Sequence, residues 1–315
     1  MSCNMMTLHE IGMAWAKKQP GIIDDLTEDS PILDIIKWKA ASHKLWNVAE
    51  KLVDIDGPGW TEPDAPLPMM QASTDLVHVD LHVLGGQMEV TTQKALKFGG
   101  PKKYFADRQN WILRYAGMTT EKQIVLKNLL KAATTWKNKA GVRSNLYDAG
   151  GSDKGWFILA CRFDDQVNVG LYDPDQFDSG RLLKIDFPYN GAEHVLHGSK
   201  YEGVLGYSIV YRGNFGYQLL DPERTVAAIV NIDETHKPSV TMIDDMLAQV
   251  RSQPGSTYLF CGPRAKIHGI NPYKTENVQL VNGDTDARTR IETWNGISIV
   301  TSHNIDDKIA HVAAK

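Results

Sequence analysis

The residues best suited to chemistry lie on one short stretch, Asp75 to Leu84. Its alternation predicts a β-strand with Leu76, His78, Asp80 and His82 on one face and Val77, Val79, Leu81 and Val83 on the other. Two imidazoles and a carboxylate are the donor set of a non-haem iron or zinc site, which would make the chain a metal-dependent β-sandwich enzyme. Against this, consecutive same-face residues on a strand are roughly 6.5–7 Å apart, whereas a mononuclear site usually gathers ligands from separate strands. The other reading is that His78, Asp80 and His82 form the polar face of a two-stranded loop resting on a neighbour.

Other clusters are less complete. His194 and His197, with Glu193, would share a face only if NGAEHVLHG were helical, and its glycines indicate a loop. Asp173, Asp175 and Asp178 in DPDQFDSG miss the D-x-D-x-D-G spacing of a calcium loop and lack its closing glutamate, so a solvated hairpin turn is expected. GGSDKG at 150–155 lacks the lysine and hydroxyl spacing of a P-loop and reads as a linker. Ser208 lacks the second glycine of a nucleophile elbow. Cys161 sits on an apolar strand, where a buried structural thiol is expected. No nucleophile, base and orienting group come together. No catalytic residue, metal ligand or cofactor is therefore assigned, and the chain is not expected to be an enzyme.

The composition excludes further classes. The chain has 315 residues with 34 basic and 38 acidic side chains, a net charge of −4. That length can bury a full core in one large domain or two interleaved ones. The near balance of charge offers no case for a nucleic-acid-binding surface. Cys3, Cys161 and Cys261 are odd in number and far apart, which argues against a disulfide framework and for a reducing cytosol. The first residues lack the basic and apolar regions of a signal peptide, and no apolar run is long enough to span a bilayer.

The elements that must carry these residues follow from periodicity. Leu8, Ile11 and Trp15 form a helical stripe over 7–18, and Ser30-Pro31 opens a short helix in which Ile32, Ile35 and Ile36 share a face. Both helices are too thin to form a core and read as an arm. A strand over 43–53, the irregular stretch DIDGPGWTEPDAPLPMMQ, and the alternating 75–84 make a long two-stranded excursion with a Pro/Gly-rich tip. An isolated hairpin of this kind is marginal in water, so it must lie on a partner. Residues 104–137 read mainly as helix. The first piece carries Trp111, Tyr115 and Met118 and is interrupted at Gly117. A second piece starts at a Thr120/Gln123 capping box and buries Val125, Leu129, Ala132, Ala133 and Trp136. Strands are expected at 156–163, 167–172, 181–187, 206–220 and 225–232. A helix follows, capped by Thr241 and Asp244 and striped by Ile243, Met246, Leu247 and Val250. Next come a short buried strand at 257–261 and a final hairpin turning on Asn295-Gly296.

In this order of elements the chain resembles the Hong Kong 97-type coat fold of tailed bacteriophages, in a podovirus-like subfamily. IIDDLTEDSPILDIIKWKAA resembles that subfamily's arm segment, and GWFILACRFDDQVNVGLYDPDQFDSGRLLKIDF its hairpin after the spine helix. YRGNFGYQLLDPERTVAAIVNID resembles the strand pair returning to the peripheral domain. VTMIDDMLAQV and STYLFCGPRAKIHG resemble the helix, strand and basic turn that follow, and RIETWNGISIVTSHNID the closing hairpin. The hairpin departs from the pattern in having Arg162-Phe163 and Pro174-Asp175 where tryptophan-glycine and lysine-glycine-serine are usual.

The resemblance implies an α+β chain divided into an N-terminal arm (1–41), an extended loop (42–85), a peripheral domain with the spine helix (86–145 and 236–315) and an inserted β-rich axial domain (146–235). It implies a major capsid protein that self-assembles through pentamers and hexamers into an icosahedral head, enclosing double-stranded DNA without reading its sequence. A separate scaffolding protein, a portal and decoration proteins are the implied partners. The implied place is the virion after synthesis in the host bacterial cytoplasm, with no membrane. An encapsulin-like compartment shell is the alternative within the same fold. Trp60, between Gly59 and Thr61, is costly at an exposed tip unless buried in a contact, either within its own loop or across subunits. It is placed in the inter-subunit set with Trp15, Met69 and Met70.

Overall fold

The computed structural model describes residues 6–7, 29–57, 59–137, 141–164, 166–175, 183–198, 200–273, 278–282 and 290–313. Trp15, Cys3, Asp178 and the stripe over 7–18 lie outside the described residues. In chain order the elements begin with β1 (Met6–Thr7), α1 (Pro31–Ile35), β2 (Lys37–Ala40), β3 (Trp46–Asp56), β4 (Gln71–Asp80), β5 (His82–Thr91) and α2 (Thr92–Lys97). A long rod follows: α3 (Pro101–Gln123), a π-helical stretch (Ile124–Leu130) and α4 (Lys131–Thr135). Then come β6 (Leu146–Asp148), β7 (Trp156–Arg162), β8 (Asn168–Tyr172), β9 (Lys184–Asp186), β10 (His194–Val195), β11 (Leu205–Leu219), α5 (Pro222–Thr225) and β12 (Val226–Ile232). The chain closes with α6 (Val240–Gln249), β13 (Thr257–Cys261), α7 (Pro263–Gly269), β14 (Val278–Asn282), β15 (Arg290–Trp294) and β16 (Ile297–Thr301).

The strands form two seven-stranded sheets and one two-stranded ribbon. β11 is the axis of the first sheet. One edge pairs with β5 from Gly206 to Phe215, and the other meets β10, β9 and β8 in turn, with β2 and β1 beyond. The second sheet runs β14-β15-β16-β13-β7-β12-β6. β7 alternates its burial between two cores. Phe157, Leu159 and Cys161 face the core shared with the first sheet and the long rod, while Trp156, Ile158 and Ala160 face α6 and α7. A strand buried on both faces needs a continuous apolar run, and WFILAC supplies it.

The expected helix after 236 forms as α6, with Ile243, Met246, Leu247 and Val250 buried. Its cap is Ser239, whose hydroxyl accepts the Met242 N–H at 3.1 Å, and not the Thr241/Asp244 pair. Asp244 instead accepts from Trp294 Nε1 and Asn295 Nδ2, tying the helix to the closing hairpin. That hairpin turns on Asn295 and Gly296, both at positive φ.

Two expectations are corrected. The rod is continuous through Gly117. Thr120 is no cap, because its hydroxyl donates back to the Ala116 carbonyl at 2.8 Å inside the helix. Within it Val125, Leu129 and Ala133 are fully buried, while Ala132 and Trp136 are only partly so. The alternating run 75–84 is two strands, broken at the buried Leu81: β4 pairs with β3, and β5 joins the first sheet. Strands β6, β7 and β12 share a sheet with β13 to β16, while β8 to β11 belong to the other. Apolar alternation marks a strand but not its partners, and β7 pairs with β13 about a hundred residues later.

Candidate assembly surface

The ribbon of β3 and β4 is built to project. Its base is fixed to the first sheet by Ala41, Val79 and Leu81 packing on Val169 and Leu171. Asn47, nearly inaccessible, donates to Gln218 Oε1 at 2.7 Å and accepts the Ser42 N–H at 2.9 Å. His43, Trp46 and His78 stack in succession, at 3.5 Å and 4.8 Å between ring centroids. Gly216 lets β11 approach this base, since a Cβ there would lie 3.2 Å from Leu81 Cγ.

Beyond the base the ribbon has no covering partner among the described residues. From Glu50 through Leu76 every described residue is exposed. The exposed apolar side chains include Leu52, Val53, Ile55, Leu67 and Leu76, and Trp60, Met69 and Met70 at the tip. Trp60 does not pack within its own loop; it is fully exposed. The register shifts between Leu52 and Asp54, a bulge that twists the outer half of the ribbon.

A second exposed surface runs along the rod. Trp111, Tyr115 and Met118 form a helical stripe, but it faces outward, with Trp111 73% and Tyr115 71% exposed. The buried face carries Leu113, Gly117 and Glu121 instead. Glu121 is a clamp that sequence reasoning missed. Its Oε2 accepts the Ile32 N–H at 2.9 Å, and its Oε1 accepts from the Ser302 hydroxyl and from Asn304 Nδ2 at 3.0 Å. Asn304 Nδ2 also reaches the Asp29 carbonyl. One carboxylate thus pins α1 and the C-terminal turn to the rod. Burial pushes its carboxyl above the ordinary carboxylate value, against the opposing pull of these hydrogen bonds. A lone Glu between apolar helix positions was the available clue, but its partners lie 89 and 181 residues away.

Two cavities flank these features. One of about 100 Å³ lies between the π-helical stretch and the ribbon base, lined by His82, Gln123, Asn128, Phe215 and Tyr217. The other, about 640 Å³, is a groove at the start of α3, lined by Pro101, Lys102, Phe105, Ile185, Phe187 and Tyr207. Its wall is a left-handed turn in which Tyr189 and Asn190 both have positive φ. Such positions cost non-glycine residues roughly 1–2 kcal/mol each. The turn leaves Phe187 and Tyr189 exposed beside the groove.

The residues singled out for chemistry are dispersed. His78 Nδ1 sits 3.1 Å from Asp80 Oδ1, but His82 lies past the Leu81 break on a different strand. No group of three or more His, Cys, Asp or Glu arranged to hold a metal occurs among the described residues. Asp173 accepts from Asn214 and from the Asp175 N–H, and Asp175 pairs with Lys44. Glu193 accepts from Thr92, and His197 is exposed beyond β10. Ser208 donates to His194 Nε2 at 2.9 Å, but the other ring nitrogen is held by the Ala192 carbonyl, not by a carboxylate. The pair fastens β10 to β11. Cys161 and Cys261 are fully buried, and burial pushes each thiol up to about 12, out of reach of thiolate chemistry.

This mixed α+β fold is one found in bacteriophage capsids. The chain aligns with the capsid of bacteriophage JBD30 at a TM-score of 0.56 and 8% identity, covering 88% of this chain and 91% of that one. It aligns with a structure of bacteriophage Epsilon15 at 0.54 and 12% identity, over 88% of each chain. The JBD30 capsid decorated with minor capsid protein trimers aligns at 0.52 and 8% identity. No family model and no curated protein matches the sequence. At such identities the backbone course is shared and the side chains are not, so function must be argued from the surfaces above.

Proposed function

We propose that this chain is the major capsid protein of a tailed bacteriophage, a non-enzymatic subunit that builds an icosahedral head around double-stranded DNA. The observation that carries the reading is the ribbon. A two-stranded projection that is exposed from Glu50 through Leu76, tipped by Trp60, Met69 and Met70, gains stability there only on another molecule. The fold shared with phage capsids supports the same conclusion.

In this reading the residues up to 41 act as the arm and the ribbon as the extended loop. The long rod with the β11 sheet serves as the peripheral unit, and the β7–β12 sheet as the axial unit that gathers copies into pentamers and hexamers. Arm and loop then reach over neighbouring copies, and many small apolar contacts add up to a stiff shell. A scaffolding protein, a portal and decoration proteins complete the head. The DNA is enclosed without base readout, in keeping with the near-neutral charge.

Electron microscopy and sedimentation of the expressed protein, alone at high concentration and in lysate from an infected host, provide the test. Closed shells or rings of five and six are expected. A chain that stays monomeric under both conditions overturns the proposal, and shells that load enzymes in place of DNA convert it to the encapsulin-like alternative.

A further inference from the structure

We propose that the tip of the ribbon of one copy seats in the groove at the start of α3 of a second copy, and that the contact is selected by charge. The inference rests on the capsid reading and names the surface that the ribbon meets.

The tip is acidic as well as apolar. From 54 to 64 it carries Asp54, Asp56, Glu62 and Asp64 with no basic residue, and Trp60 stands among them. Lys102 lines the groove, and the chain segment that leads into it has the opposite character to the tip. From 94 to 108 this segment carries Lys94, Lys97, Lys102, Lys103 and Arg108 against the single acidic Asp107. Lys94 and Arg108 lie over the Tyr104 ring, while Lys97, Lys102 and Lys103 are exposed and form no ion pair among the described residues. Asp186, the acidic residue lining the groove, is already neutralised by Arg212 at 3.0 Å and Lys184 at 3.4 Å. The positive end of a 23-residue helix adds to the same field.

Shape agrees with charge. Phe105, Ile185, Phe187 and Tyr207 make an apolar floor, and about 640 Å³ holds an indole with a methionine beside it. Trp60, Met69 and Met70, all exposed on the segment that joins β3 to β4, supply such a set. The eleven residues of β3 span about 35 Å at strand rise, enough to reach beyond the subunit that carries them. An aromatic anchor in a desolvated pocket, rimmed by opposite charges, is the arrangement that gives an interface both affinity and register.

The test is a charge swap in the full chain, all at exposed positions that leave the fold intact. Lys97→Glu, Lys102→Glu and Lys103→Glu together should raise the concentration needed for assembly about tenfold, and so should Asp56→Lys and Glu62→Lys together. Both sets in one chain should restore assembly, because each reversed tip then meets a reversed groove. Independently, Thr61→Cys with Asn190→Cys should give disulfide-linked ladders in assembled wild-type-like shells, with either single cysteine as control. Shells that assemble normally with either charge set alone, or the double cysteine chain remaining uncrosslinked in intact shells, would overturn this contact while leaving the capsid reading in place. A wild-type chain that never assembles overturns both.

Discussion

The ribbon of β3 and β4 and the centre of the second sheet are built from similar material with opposite outcomes. Both are rich in Val, Ile, Leu and Ala and run at strand periodicity. In β12 all seven residues are buried, while in β3 only Asn47 and Ala49 are. The difference lies in what stands on each side. β12 has β7 and β6 as neighbours and a core on either face, so its backbone and side chains are both satisfied within one chain. The ribbon has one neighbour per strand and no covering layer. The lesson is that the molecule divides its apolar surface into a part that folds it and a part left exposed, which in the proposed reading meets other copies.

The contrast is sharpened by substitutions ranked by their expected effect on folding. Leu159→Ala, in the buried centre of β7, should cost about 3 kcal/mol in urea denaturation through the cavity it leaves. A loss under 1 kcal/mol would mean that the sheet centre tolerates change as the ribbon does. Glu121→Ala should cost about 2–3 kcal/mol, because it strands the Ile32 N–H, Ser302 and Asn304 in a buried site. Limited proteolysis should then cut near α1 first.

Glu121 also predicts a pH dependence. Its carboxyl is raised above the ordinary value by burial, so the folded chain holds the proton more tightly than the unfolded one. Its contribution to stability is present in full below the ordinary carboxylate range and is lost as pH rises through the raised value. Denaturation followed from about pH 4 to pH 7 should therefore show a decline that Glu121→Gln flattens, and an unchanged slope in the variant would assign the decline to other groups.

Smaller effects are expected towards the loop. Asn47→Ala removes the bonds to Gln218 and Ser42 and should cost about 1–2 kcal/mol, read as faster amide exchange over 42–48. Trp60→Ala should change folding stability by less than about 0.5 kcal/mol, since the side chain is fully exposed. It should nevertheless raise the assembly threshold about tenfold or more. A tryptophan variant that assembles like the wild type would erase the distinction between the two regions.

Much of the fold was legible in the residues. Strand runs such as WFILACR and VAAIVNI, the α6 stripe and the Asn295-Gly296 turn are local patterns, and each forms where its periodicity places it. The projecting loop was legible too, because Pro63, Pro66 and Pro68 cannot enter a sheet and a two-stranded ribbon cannot bury itself. What periodicity could not supply was partnership. It ran β4 and β5 together, because nothing local marks Leu81 as the point where the chain changes neighbours. It read Trp111 and Tyr115 into a helix without showing that their face is left open.

By itself, then, the sequence determined which segments are strand, helix or irregular, and that one long excursion cannot bury itself, since those properties follow from side-chain spacing and backbone sterics within a few residues. Only the tertiary structure decided that β7 joins β12 and β13, that Glu121 ties α1 to Ser302, and that an apolar groove opens among the lysines at the start of α3. Those pairings join residues tens to hundreds of positions apart, and their energy comes from burial that exists only once the chain has closed on itself.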